Sequence, residues 1–142
     1  MMGQSTNAIL FYGITFEDLD TEALAKQHGL EEFDAEDAYA AKVGIERPSV
    51  PYSESEKGAW VDYWRRKQDA SPCEMDWHCS SEYPIYLACI KESKRVSLRG
   101  DETEIPDGLT AKPEWVDQLR AYCDVMGLPY SQPRWLLVSY WG

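Results

Sequence analysis

Two apolar runs, one near each end of the chain, constrain the fold most. Ala8-Ile9-Leu10-Phe11-Tyr12-Gly13-Ile14 and Trp135-Leu136-Leu137-Val138-Ser139-Tyr140 are short, rich in β-forming residues and bounded by polar ones. Neither alternates apolar with polar, so each reads as a strand that is apolar on both faces. The first is expected to be a central strand. Pairing of the two at the middle of a sheet would also bring the segment around His78 to one common site.

Between these runs the punctuation predicts helices and turns. Asp20 is placed to cap a short helix, Glu22 suits its first turn, and Gly29 supplies a left-handed stop. From Glu31 to Val50 the pattern reads mostly as loop: an acidic stretch, the small run Ala38-Tyr39-Ala40-Ala41, then Arg47-Pro48-Ser49-Val50-Pro51. Ser53-Glu54-Ser55-Glu56 fits a capping box opening a helix to about Gln68, with Trp60, Tyr63, Trp64 and Lys67 on one face. Tyr83 to Ile90 and Arg95 to Leu98 flank Glu92-Ser93-Lys94 and predict a β-hairpin. Pro106-Asp107-Gly108 punctuates an acidic turn region. Pro113 then opens a helix with Trp115, Val116, Leu119, Tyr122, Cys123 and Met126 inward, stopped by Gly127 and Pro129. The order predicts a single α+β domain over residues 1–142, with a sheet of about four strands, antiparallel or mixed, and about three helices packed on it.

The chain's 142 residues suffice for one core, and a 13% aromatic content separates it from disordered acidic proteins. The N-terminus carries no basic region or apolar run of signal-peptide length, and the longest apolar stretches, Tyr83 to Ile90 and Trp135 to Tyr140, are too short to span a bilayer. A soluble, cytoplasmic protein is expected, with Cys73, Cys79, Cys89 and Cys123 reduced and unbridged.

Chemistry-bearing residues concentrate in Cys73-Glu-Met-Asp-Trp-His78-Cys79-Ser80-Ser81-Glu82-Tyr83-Pro84. The segment lacks the paired-cysteine knuckle of a zinc site, so no metal is expected. As a nucleophile Cys79 would need a base, and His78 and His28 are the two histidines. The favoured reading is structural: His78 and Ser80 hydrogen-bond a loop leading into a buried strand, and Cys79 packs as a small apolar group. Paired acids at Glu31-Glu32, Glu36-Asp37 and Asp101-Glu102 are too abundant to mark a catalytic pair. The dispersed glycines form no phosphate-cradling loop, so no cofactor is expected.

The charge distribution is uneven. Residues 1–41 hold nine acids (Glu17, Asp18, Asp20, Glu22, Glu31, Glu32, Asp34, Glu36, Asp37) against one base, Lys26, whereas the remainder holds sixteen acids and thirteen bases. A net charge of −11 disfavours direct contact with nucleic acid or an anionic membrane. A concentrated negative face attracts basic surfaces, including those that nucleic-acid-binding proteins present, and can stand in for a nucleic acid there. The plain alternative is that these acids only keep the protein soluble. Trp60, Trp64 and Trp77 are candidate interface anchors or core residues.

Three segments resemble small hypothetical proteins of tailed bacteriophages and prophages: Gln4-Ser5-Thr6-Asn7-Ala8-Ile9-Leu10-Phe11-Tyr12-Gly13, His78-Cys79-Ser80-Ser81-Glu82-Tyr83-Pro84-Ile85-Tyr86 and Pro133-Arg134-Trp135-Leu136-Leu137-Val138-Ser139-Tyr140-Trp141. The resemblance implies a phage origin and a bacterial cytoplasm, and it transfers no activity and no catalytic residue. With that origin, the leading expectation is an acidic, anti-CRISPR-like or otherwise anti-defence inhibitor of a host nucleic-acid-handling complex. Glu31, Glu32, Asp34, Glu36 and Asp37 would dock on the partner's basic surface, with Trp60 and Trp64 adding local affinity. The alternatives are a small hydrolase or transferase using Cys79 with His78 or His28, and a virion or assembly component that works as an oligomer.

Overall fold

The structure, a computed structural model, describes residues 6–141, and side chains from 7 to 140. Met1 to Ser5, which include Gln4 and Ser5 of the segment Gln4 to Gly13 singled out above, lie outside the described residues. The elements are β1 (Thr6–Phe16), α1 (Thr21–Gln27), α2 (Ala35–Lys42), α3 (Lys57–Asp69), β2 (Cys73–Cys79), β3 (Pro84–Ile90), β4 (Arg95–Ser97), α4 (Glu114–Met126) and β5 (Arg134–Trp141). This is an α+β fold with one five-stranded mixed sheet in the order β3-β2-β5-β1-β4. The extra strand is β2, which lies where the sequence suggested a loop. Among the described residues no helix is long and apolar enough to cross a membrane.

The two terminal runs pair with each other, β1 with β5, antiparallel over eight positions from Thr6 opposite Trp141 to Gly13 opposite Arg134. The sheet then curls until β1 also pairs with β3, and one parallel contact, Cys79 opposite Tyr140, joins β2 to β5. Strands β1, β5, β2 and β3 thus form a closed ring. Ring closure explains why the first strand is apolar on both sides. Ile9 and Phe11 form a small core with Leu87 and Cys89, flanked by Leu136 and Val138. Tyr12, Ile14 and Phe16 face the opposite way into the larger core, against Trp115, Leu119, Tyr122 and Met126 of α4 and Leu24 of α1.

Strands β3 and β4 do not form the expected hairpin with each other. Both lie along one edge of β1, with Cys89 opposite Gly13 and Arg95 opposite Leu10, so three steps on β1 face six on the partner. The excess is a single 3-10 turn, Lys91–Ser93. Buried Ser93 repairs the interrupted ladder: its Oγ accepts the Tyr12 N–H at 2.9 Å and donates to the Ile90 carbonyl at 2.7 Å. At the same crossing Gly13 has no room for a side chain, since a Cβ would collide with the Ala88 carbonyl oxygen and sit 2.9 Å from the Cys89 Cα. The true hairpin joins β2 to β3, in register from Cys73 opposite Ile90 to Cys79 opposite Pro84.

Helix α4 follows the sequence pattern, with Trp115, Leu119, Tyr122, Cys123 and Met126 buried and Gly127 in the left-handed conformation (φ 72°) that closes it. Helix α1 is capped by Asp20, whose Oδ1 accepts the Ala23 N–H at 3.0 Å. Two expectations are corrected. The region read as loop after Glu31 contains α2, whose inward residues are the alanines Ala38 and Ala40, too small to print an apolar stripe. The capping box at Ser53 does not form: Ser53 Oγ lies 3.1 Å from Ser55 Oγ, and α3 starts at Lys57 after Glu56, which makes no side-chain cap.

Candidate functional site

The acidic segment is carried on ordered elements. Glu17 and Asp18 follow β1, Asp20 and Glu22 start α1, Glu31 and Glu32 precede α2, and Asp34 and Glu36 occupy its first turn; all eight are exposed. Asp34 Oδ1 accepts the Asp37 N–H at 3.0 Å, so this acid caps a helix and still faces solvent. Carboxylates at helix N-termini are stabilised by the local dipole, which lets negative charge accumulate here without unwinding the segment.

Asp37 does not belong to this surface. Its Oδ1 accepts from Lys67 Nζ at 2.7 Å and from the Tyr63 hydroxyl at 2.9 Å, tying α2 to α3. Burial pushes the Asp37 carboxyl up, but these two hydrogen bonds together with the charges of Lys67 and Arg47 bring it below the ordinary carboxylate value. Burial and the Asp37 hydrogen bond push the Tyr63 hydroxyl up to about 12. Glu36 lies 3.9 Å from the same lysine, a loose pair at the surface.

The two tryptophans expected at an interface divide. Trp60 is buried, donates from Nε1 to the Val50 carbonyl at 3.1 Å, and carries the Arg47 guanidinium 5.2 Å from its ring centre. It is a packing residue, which corrects its assignment as an anchor. Trp64 is 42% exposed and stacks on exposed Tyr52 at 5.9 Å, an aromatic pair on the outer side of α3. Tyr52 had no signal in the sequence, because it lies in a segment without periodicity.

The weak catalytic candidates do not assemble into a nucleophile and base. His78 and Cys79 are consecutive on β2, where neighbouring side chains alternate faces, and Cys79 ends the strand with a left-handed φ of 78°. Burial lowers the His78 pKa, against the opposing influence of the Ser139 backbone and Asp76, and its enclosed Nε2 has no hydrogen-bond partner. His28 is held elsewhere: Nε2 donates to the Met126 carbonyl at 2.8 Å and the ring rests against Phe33. The other thiols are buried, and burial pushes Cys73 up to about 12, Cys123 up to about 11, and Cys89 upward as well. Ser80 does support local structure, since its Oγ accepts the Tyr83 N–H at 3.2 Å in the β2–β3 turn.

Three segments singled out in the sequence, those around β1, His78 to Tyr86 and β5, meet in space. β1 and β5 pair, His78 lies against the Ser139 backbone, and Cys79 pairs with Tyr140, beside which Trp77 packs edge-on at 4.9 Å. Beside them Lys94 Nζ lies 2.6 Å from Asp76 Oδ2 and 3.1 Å from Glu74 Oε1, a partly buried ion-pair group that sequence spacing does not reveal. Among the described residues no group of three or more His, Cys, Asp or Glu is placed to hold a metal ion. The chain matches no family model, no curated protein and no solved structure.

Proposed function

We propose that this chain is a phage-encoded binding protein that inhibits a host nucleic-acid-handling complex in the bacterial cytoplasm, acting by occupancy and not by turnover. The observation that carries the reading is the set of exposed carboxylates from Glu17 to Glu36, at the N-terminal ends of two helices (Asp20, Glu22, Asp34, Glu36) and in the turns before them (Glu17, Asp18, Glu31, Glu32). A mobile acidic tail would lose conformational entropy on docking; acids held at helix starts and in the short turns leading into them lose less and present a fixed charge pattern to a basic groove. In this role they imitate the phosphate charge of a nucleic acid. Docking involves Glu31, Glu32, Asp34 and Glu36, with Trp64 and Tyr52 as the exposed aromatic pair and Asp37 and Trp60 as internal supports.

The test is capture of host complexes on the immobilised protein, eluted in salt steps and identified by mass spectrometry, then repeated with Glu31→Gln, Glu32→Gln, Asp34→Asn and Glu36→Gln combined. Asparagine at 34 keeps the helix cap. The expected result is a nucleic-acid-binding complex released by moderate salt, with affinity for the purified complex lost in the combined variant and an unchanged melting temperature. Equal affinity of variant and parent would overturn the charge-docking mechanism.

A further inference from the structure

We infer that the open half of the sheet's helix-side face is a binding pocket for a small carboxylate with an apolar body, a site separate from the acidic surface and independent of that reading. A cavity of about 410 Å³ lies over the β4, β1 and β5 strands, inside the size range of small-molecule sites. Its floor follows from register: Arg95, Leu10 and Leu137 stand in one row across the three strands. Ile105 and Leu109, from the segment after β4, line the opposite wall, and Trp135 lines it where the cavity approaches Tyr12 and Trp115, 5.7 and 6.1 Å from its ring.

Three observations point to the ligand. Seven of the ten lining residues are apolar, and part of this apolar lining faces solvent, with Leu137 72% and Ile105 64% exposed. Leu109 is held at φ 46°, a left-handed conformation that is costly for leucine, and this places it in the wall. The polar lining side chains are Arg95, Ser97, whose Oγ donates to the Asp101 carbonyl at 3.3 Å, and Thr103. Arg95 is the one charged lining residue; its Nη1 donates to the Glu92 and Lys94 carbonyls at 2.8 and 2.9 Å, which orients the guanidinium. Among the described residues it makes no direct ion pair: Glu92 feels its charge but is paired with Lys112 at 2.6 Å. The indole Nε1–H of Trp135 is enclosed and has no acceptor. In a chain with eleven excess negative charges, an oriented guanidinium without a direct ion pair among the described residues, at the rim of a mainly apolar cavity, is complementary to an external carboxylate.

The whole protein is titrated with phenylacetate and hexanoate, and with the uncharged phenylacetamide and hexanamide, following indole N–H resonances with Trp135 assigned from Trp135→Phe. The expected result is a saturable shift of the Trp135 resonance, with each acid binding about tenfold more tightly than its amide. Arg95→Gln is expected to bring the acids to the affinity of the amides, and Arg95→Lys to restore part of the difference, with both variants folded by the unchanged dispersion of the remaining resonances. No saturable shift with either acid up to about 10 mM, or equal affinity of acid and amide, would overturn the proposal. So would sedimentation showing a dimer that Leu137→Asp abolishes, because the cavity would then belong to a second copy of the chain.

Discussion

The same strands carry a covered half and an open half on one face of the sheet. Toward the end of β1, Tyr12, Ile14 and Phe16 lie beneath α4, where Leu119 and Met126 have no solvent exposure; toward its start, Ala8 and Leu10 lie beside Leu137, which is largely exposed. The residues in the two halves are similar in kind, so hydrophobicity does not separate them. Length does: thirteen residues of helix rise about 20 Å, whereas the eleven residues of β1 extend about 36 Å, and one helix cannot roof the whole strand. What remains uncovered becomes available for binding, which is why the cavity adjoins the core.

The sharpest way to break this comparison is to truncate one leucine in each half. Leu119→Ala is expected to lower unfolding free energy by about 2–5 kcal/mol, and Leu137→Ser to change it by less than about 0.5 kcal/mol, both read from urea denaturation. A large loss at Leu137 would mean that the open half is covered in solution. At the junction of the halves, Ser93→Ala leaves the buried Tyr12 N–H without its acceptor, and a loss of about 1–3 kcal/mol is expected by the same measurement. A loss indistinguishable from zero would show that β1 and the 91–93 turn are joined differently.

A smaller loss than at Leu119 or Ser93 concerns the support beneath the acidic surface. Asp37 has a depressed pKa in the folded state, so its contribution is present above the ordinary carboxylate value and is lost as pH falls through the folded value. Asp37→Asn is expected to cost about 1 kcal/mol at pH 7, a modest figure because the pair is partly solvated, and the gap from the parent should close below about pH 4. Thermal melts of both proteins between pH 7 and pH 3 measure this. A gap that stays constant with pH would remove the Lys67 ion pair as its cause.

Legibility in the sequence followed side-chain size and contact range. Helix α4 and its stop at Gly127 were readable because large apolar residues repeat at helical spacing and glycine marks the left-handed turn. Helix α2 was not, because its buried face is made of alanines and its start, Asp34, sits among acids of similar appearance. β2 was obscured by residues that alternate between the helix-side core, as Cys73 and Met75 do, and a partly buried ion-pair group on the other face, as Glu74 and Asp76 do. In the acidic segment charge was legible, but partners were not: only the α2–α3 packing shows that Asp37 faces Lys67 while Glu31 and Glu32 face solvent.

The sequence alone determined that two apolar segments near the ends would be strands, that negative charge would gather in the first third, and that the fold would be α+β, since these depend on composition and on periodicities of two and 3.6 residues. Tertiary structure alone decided the curl of β1 onto β3, the three-residue slip repaired by Ser93, the withdrawal of Asp37 and Trp60 from the surface, and the cavity between Arg95 and Trp135. Each of these depends on which residues meet across tens of positions in the chain, and a local pattern carries no record of such meetings.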